Sequence, residues 1–466
     1  MRAAIALAAL ALVAVPTARA GGPGLLIGAT DDAPRSTSLA VSKAQMDLLV
    51  AAGFRAVRIT QEWHPGDTAL SDEDRQVLEN VAAAARLDAV TVVCVVMNHG
   101  SATTPLTPED QQDFAAFAAS VAKTIPSFRI FVVGNEPNLN RYWLPQFNDD
   151  GSDAAAPAYE SLLAQTYDAL KAVSPKITVI GGALAPRGGD TPGTIRPTHS
   201  PTVFIHDLGQ AWRDSGRTDP IMDAFDLHPY EDNSSIAPVS GVHPNTTTIA
   251  LADYDKLVAL LGEAFGDYEL PIWYDEFGVE SQIPPAKASL YTGTEPATTK
   301  PVDEATQAAY YRQAVQLAFC QPNVKGLFLF HTVDEKDLLA WQSGVYYADG
   351  TPKSGFTAVK AALDQARRGV VAACPGLELT VKPKVVQRGR SVTVTCDLDC
   401  TYVAQLYQLP RKLLATTRGR AIGGIARKLA LRVPAAPGKR YRLQLTATAP
   451  VNPGIPAVRL LALRHG

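Results

Sequence analysis

Ile130-Phe131-Val132-Val133-Gly134-Asn135-Glu136-Pro137 reads as a short buried strand with a glutamate at its C-terminal end. The pattern returns downstream, where Ile272-Trp273-Tyr274 is closed by Asp275-Glu276-Phe277-Gly278. The two glutamates are 276 − 136 = 140 residues apart, which leaves room for three strand-helix units between them. In a closed α/β barrel the ends of separate strands converge on one mouth, so two glutamates at strand ends can meet there. An acidic residue before proline is by itself an ordinary helix or loop start, and it is the repetition that carries weight.

Outward from these motifs, short apolar runs alternate with amphipathic stretches from residue 25 to about residue 368. Strands are expected at residues 25–28, 56–59, 90–97, 130–133, 177–181, 225–227, 272–275 and 326–330. Helices are expected at residues 42–52, 72–85, 108–123, 157–172, 201–213, 251–265, 303–319 and 355–367. Several of these open on proline or on Ser, Thr or Asp, as helix entry prefers. Eight βα repeats predict a fold of the α/β class, a (β/α)8 TIM barrel rather than an open doubly wound sheet. No Gly-x-Gly-x-x-Gly follows the first strand, so a dinucleotide fold has little support. The connections at residues 188–200 and 281–300 are long, and after the fifth and seventh strands they are expected to wall the mouth.

Past Cys374-Pro375-Gly376 the pattern changes to short β-rich runs separated by Gly and Pro, at residues 377–382, 391–396, 402–409, 412–417, 426–433, 441–448 and 457–464. Seven such runs predict a small immunoglobulin-like sandwich. The expected organisation is a signal peptide at residues 1–20, a barrel over residues 21–370 and a sandwich over residues 375–466. Arg2, the apolar stretch at residues 3–15 and Ala18-Arg19-Ala20 fit the three parts of a secretory signal, so an extracellular protein is expected. No later run approaches twenty apolar residues, and no membrane span is expected.

The 466-residue chain has a net charge of −3 that hides an asymmetry. Residues 375–466 hold 16 Lys+Arg and 3 Asp+Glu, or +13, leaving 27 and 43, or −16, for residues 1–374. A basic module of this kind either docks on an acidic neighbour or holds an anionic cell-wall polymer. No nucleic-acid partner is expected. Of the five cysteines, Cys94 lies in an apolar run and reads as a core thiol, while Cys374, Cys396 and Cys400 cluster late in the chain. A Cys396–Cys400 bridge suits an exported protein, with the pairing among the three left open. No histidine lies near them at ligand spacing, so no metal is expected.

On these motifs residues 25–368 resemble the clan A retaining glycoside hydrolases built on (β/α)8 barrels, including the family 5 and family 39 branches. The resemblance implies an acid/base at Glu136, which must hold a proton for the leaving oxygen, and an ionised nucleophile at Glu276. It implies that Asn135 meets the sugar 2-hydroxyl and that Arg58, in Val57-Arg58-Ile59 at the end of the second strand, orients the nucleophile. In His228-Pro229-Tyr230 it implies a tyrosine hydroxyl facing the nucleophile, with His228 alongside. Asn98-His99 closes the third strand, where His99 is within reach of a sugar hydroxyl or is a plain surface residue. The eighth strand departs from the pattern: many relatives carry a tryptophan at its end, and this chain reads Phe328-Leu329-Phe330-His331. Trp341 in the next loop is the candidate replacement, and Trp63 and Trp143 are expected on other mouth loops.

The resulting expectation is a secreted retaining glycosidase with a carbohydrate substrate, a β-linked glycoside or polysaccharide, and no metal or organic cofactor. The alternative is a catalytically inert carbohydrate-binding barrel of the cell envelope.

Overall fold

The computed structural model describes residues 21–370 and 381–463 other than residues 268, 397, 411, 437, 450 and 451. The expected signal peptide and the expected boundary between the two modules lie outside the described residues. Eight parallel strands, β1 (Leu26–Thr30), β2 (Ala56–Trp63), β3 (Thr91–Asn98), β4 (Ile130–Val133), β5 (Thr178–Leu184), β6 (Ala224–Leu227), β7 (Ile272–Phe277) and β8 (Val324–Phe330), close into a barrel in sequence order. The barrel shuts where β1 pairs with β8, from Leu26 opposite Gly326 to Thr30 opposite Phe330.

Each strand is followed by a helix: α1 (Leu39–Ala52), α2 (Asp72–Asp88), α3 (Pro108–Thr124), α4 (Ala155–Val173), α5 (Pro201–Asp214), α6 (Tyr254–Phe265), α7 (Glu304–Cys320) and α8 (Phe356–Arg367). Local chemistry starts them. Ser71, Ser200 and Asp303 accept from the backbone N–H three residues on, and Thr107 and Asp110 form a reciprocal capping box. Pro108 and Pro201 occupy first-turn positions, where a missing N–H is harmless.

The strands are covered on both sides, which is why Val92 to Met97 is apolar without alternation. Outward residues pack under the helices, while Ala56, Val93, Val95, Val132, Ile180, Ala224, Trp273 and Phe328 fill the barrel interior. Trp273 and Phe328 sit with ring centroids 6.0 Å apart. They fit because their neighbours are glycines: a Cβ on Gly326 would lie 2.3 Å from the Trp273 ring, and one on Gly28 would lie 2.5 Å from Phe328.

The C-terminal region is antiparallel. Strands β9 (Lys384–Arg388), β10 (Ser391–Thr395) and β13 (Arg427–Arg432) form one sheet in the order β13-β10-β9. Strands β11 (Cys400–Gln408), β12 (Lys412–Ala421), β14 (Tyr441–Ala449) and β15 (Asn452–Leu463) form the other, in the order β12-β11-β14-β15. Strict burial alternation along β11 and β14 turns Tyr402, Ala404, Leu406, Leu443 and Leu445 inward, and Val392, Val394, Leu429 and Leu431 of the first sheet are also buried. A strand is expected at residues 377–382, most of which lie outside the described residues, and the first described strand of this region begins at Lys384. Pro383, which has no N–H to give a ladder, precedes the pairing. Cys396 and Cys400 are bridged with an S–S distance of 2.13 Å, and Cys94 is a buried free thiol. Cys374 lies outside the described residues, and Cys320, which sequence reasoning left unassigned, is disulfide-bonded. No helix among the described residues is long and apolar enough to cross a membrane.

Candidate active site

Inward-facing positions climb from apolar to charged towards the C-terminal end of the barrel. Two residues above the interior Ala56, Ala224 and Trp273 come Arg58, Asp226 and Asp275 on the same strand faces, and His228 lies two beyond Asp226. Arg58 is therefore not at the end of its strand, as the sequence suggested. The β2–β3 ladder runs on from Ala56 opposite Thr91 to Trp63 opposite Asn98, which draws the polar Thr60-Gln61-Glu62 into the strand.

Local backbone irregularity delivers the two glutamates. After β4, Gly134 has φ +80° and Glu136 has φ +44°, and the Glu136 N–H donates to the Ala183 carbonyl at 2.8 Å. A left-handed conformation at a residue with a Cβ costs about 1–3 kcal/mol and persists only where the surroundings hold it. On β7 neighbouring residues should face opposite sides, yet Asp275 and Glu276 join one cluster. The register with β8 shifts between Tyr274 and Phe277, which turns both carboxyl groups towards the mouth.

Arg58 organises the cluster through its whole guanidinium. Its Nε–H donates to Asp275 Oδ2 at 3.1 Å, Nη2–H donates to Asn135 Oδ1 at 2.7 Å, and Nη1 is 3.1 Å from Glu276 Oε1. The Tyr230 hydroxyl donates to Glu276 Oε2 at 2.9 Å. His228 reaches Glu136 Oε1 through Nδ1 at 3.0 Å and sits 3.5 Å from Glu276 Oε2. Its Nε2 is 2.8 Å from Asp275 Oδ1, a close charge contact. One oxygen of each glutamate and a ring nitrogen of His228 all lie within 4.8 Å of one another.

Burial and charge act against each other here. Burial works to lower the His228 pKa, but Glu276, Asp275 and Glu136 together hold it well above the ordinary imidazole range. Burial likewise opposes the charge on Arg58, and the fields of Asp275 and Glu276 outweigh it. Burial pushes Asp275 up, yet Arg58 and His228 bring its carboxyl below the usual carboxylate range. Asp226, fully buried and beside Asp275, is driven well upward by burial and by that neighbouring charge, so it is the member that keeps a proton. Tyr230 is raised by burial and by the two glutamates, so its hydroxyl remains a donor.

Six of the eight residues singled out from sequence thus meet: Glu136, Glu276, Asn135, Arg58, His228 and Tyr230. Trp341 joins from the loop after β8, its ring 4.8 Å from Tyr230 and 5.3 Å from Phe330. His99 does not join. It stands on the rim, where Nδ1 is 2.7 Å from Glu62 and the ring stacks on His64. Trp63 and Trp143, expected on mouth loops, are both buried: Trp63 ends β2 and packs on Phe114, and Trp143 packs on Tyr159. Of the two long connections, the one at residues 281–300 lines the cleft through Thr298 and Thr299, whereas none of the cleft-lining residues comes from residues 188–200. Sequence reasoning gave no role to Asp275 or Asp226. Both are acids inside apolar strand runs, a visible signal.

No protein-family model matches the chain, and no curated protein matches it in sequence. Solved structures match through the fold. A glucosidase from Croceicoccus marinus is 12% identical, with 92% of this chain aligned to 96% of that one at a TM-score of 0.52. GH5_18 from Streptomyces cattleya, in complex with GlcNAc, is 15% identical over 74% of this chain and 80% of its own, with a TM-score of 0.51. The chain spans only 45% of the length of a Bacteroides uniformis beta-glucuronidase 2 that covers 96% of it at 12% identity and a TM-score of 0.45. At these identities the likeness is one of fold: a closed eight-stranded parallel barrel shared with glycoside hydrolases.

Proposed function

We propose that this chain is a retaining glycoside hydrolase that cleaves O-glycosidic bonds of a β-linked glycoside or polysaccharide built of neutral sugars, acting outside the cell after removal of residues 1–20. The observation that carries the reading is the approach of Glu136 and Glu276, whose oxygens come within 4.8 Å at the ends of β4 and β7. Retaining enzymes hold their carboxyl groups about 5–5.5 Å apart, and inverting ones leave about 6.5–9.5 Å for a water.

In this reading Glu276 attacks the anomeric carbon while the bond to the leaving oxygen breaks, giving a glycosyl ester. Arg58 and Tyr230 hold the attacking carboxylate in line. Glu136 passes its proton to the departing oxygen. The carboxylate so formed is stabilised by the His228 Nδ1–H, and it then takes a proton from the water that hydrolyses the ester. Asn135 has its amide oxygen committed to Arg58, which leaves its N–H groups to donate to the sugar 2-hydroxyl. Trp341 and Phe330 offer apolar surface to the ring.

The cleft, of about 720 Å³, supports a neutral substrate. Beyond the glutamate pair its acidic lining is Asp232, Glu335 and Asp337 against Arg141 and Arg187, and Arg187 is already paired with Asp232 at 3.3 Å. Glu231 and Glu280 also line it, but burial pushes them up to about 9 and about 8, so they add no charge near neutral pH. A uronate entering this field meets like charge. None of the cleft-lining residues comes from the C-terminal sheets, which supports a module beginning near residue 375 that positions the enzyme on an anionic wall polymer. The test is trapping with activated 2-deoxy-2-fluoro β-glycosides followed by peptide mass spectrometry. Neutral sugars should label Glu276 and the matching glucuronide should not. A label on another acid would remove the two-glutamate mechanism, and preferential labelling by the glucuronide would overturn the substrate class.

A further inference from the structure

Outside the catalytic cluster, a second set of metal-ligating side chains stands on the rim of the barrel mouth. Glu62 is the penultimate residue of β2, His64 follows that strand, and His99 follows β3. One ligand atom from each lies within 4.8 Å of the other two. Their backbones are tightly tied: Trp63 pairs with Asn98 in the ladder, and the His99 N–H donates to the Trp63 carbonyl at 3.2 Å. The side chains are open to solvent, with 41%, 54% and 60% of Glu62, His64 and His99 exposed. The mouth cleft does not include them.

From this arrangement we propose that Glu62, His64 and His99 form a binding site for a zinc-class divalent cation, completed by water. Two imidazoles with one carboxylate suit Zn²⁺ and its transition-metal neighbours, whereas Ca²⁺ and Mg²⁺ seek oxygen alone. Ligand bonds of about 2.0–2.1 Å put tetrahedral ligands about 3.4 Å apart, so exposed side chains close the set by moving about 1 Å. The imidazole ring centroids are already 5.1 Å apart, the order of separation expected for two rings on one such ion. An outer partner is also in place. Asp67 Oδ2 is 3.8 Å from His64 Nδ1, and the turn holding Asp67 is pinned by the Trp63 indole N–H, which donates to the Asp67 carbonyl at 2.8 Å. A carboxylate behind a ligating histidine fixes the ring and strengthens it as a donor. No local motif signals this, because the two histidines are 35 positions apart and only the β2–β3 register brings them together. A bound ion would tie the β2 and β3 ends into one unit beside the mouth.

The test is calorimetric titration of the chelator-stripped full chain with ZnCl₂, in parallel with CaCl₂. One saturable equivalent of Zn²⁺, no Ca²⁺ binding and a zinc-dependent rise in Tm are expected. The double variant His64→Ala/His99→Ala should lose the equivalent and the Tm rise, Glu62→Gln should weaken binding at least tenfold, and Asp67→Asn should weaken it about tenfold. Absence of the equivalent in the parent chain would overturn the proposal. So would an unchanged equivalent in the double variant, which would point to the buried Glu136, His228 and Glu276 instead, or equal binding of Ca²⁺.

Discussion

At the barrel mouth Arg58, His228, Asp226 and Asp275 are buried together, and each charge is answered by another within a few ångströms. In the C-terminal sheets Lys412, Arg418, Arg420, Arg427, Lys428 and Arg432 stand exposed on β12 and β13. The first region is a small, nearly balanced set in a medium that amplifies every imbalance, and the second is a large unbalanced set in water that damps it. Charge number is thus a poor guide to consequence. Position decides, and one substitution in the first region should outweigh several in the second.

The largest effect is expected for Arg58→Met, which leaves Asp275 and Glu276 buried without their cation. A loss of about 3–5 kcal/mol in urea unfolding should accompany it, with turnover falling on the order of 10³-fold or more as the proposed nucleophile Glu276 loses its clamp. A stability change under 1 kcal/mol would show that the cluster rearranges freely, and the contrast between the regions would fail.

Glu136→Ala should come next. Hydrolysis of substrates with poor leaving groups should fall by about 10²–10⁴-fold, activated aryl glycosides should suffer much less, and azide should restore turnover as a β-glycosyl azide. Equal losses on both substrate types without azide rescue would remove Glu136 from the acid/base role.

A third comparison uses Glu280 on the cleft wall. Its pKa is pushed up to about 8, first by burial and then by Glu295. Because the folded form holds the proton more tightly than the unfolded chain, Glu280 favours folding most below its unfolded value near 4.3, and that contribution is lost as pH rises through about 8. Glu280→Gln should therefore gain stability relative to the parent as pH increases from 5 to 9, read from urea midpoints. A difference that stays flat across this range would exclude the shift.

The smallest effect belongs to Arg420→Ala on β12, expected within about 0.5 kcal/mol of the parent. Removing several of the exposed cations should instead weaken the proposed retention on anionic wall polymer. Raising the salt from 0.02 to 0.5 M should mimic that loss, because the Debye length shrinks from about 20 Å to about 4 Å. Retention unaffected by salt would assign the module another role.

Much of the fold could be read because it rests on local rules. Apolar runs such as Val92 to Met97, capping pairs such as Thr107 with Asp110, and the Cys396–Cys400 spacing each carry their own signal. The strand-end glutamates were readable for the same reason. What escaped depends on register. The extent of β2 past Arg58 is set by its partner β3, and so is the burial of Trp63 at its end. That Asp275 and Glu276 share one side follows from a shift against β8. His99 pairing with Glu62 rather than facing the glutamates is likewise a matter of which strands adjoin, information that no single stretch of sequence contains.

Trp273 and Phe328, seated over Gly326 and Gly28, have a further consequence. They plug the barrel beneath the catalytic cluster, so the lumen is no corridor. Everything must come and go through one doorway. In the proposed two-step reaction, the water for the second step would enter from the side the first product leaves by. Departure of that fragment would then be a precondition for hydrolysis, and an acceptor that lingers at the threshold would compete with water for the same ester.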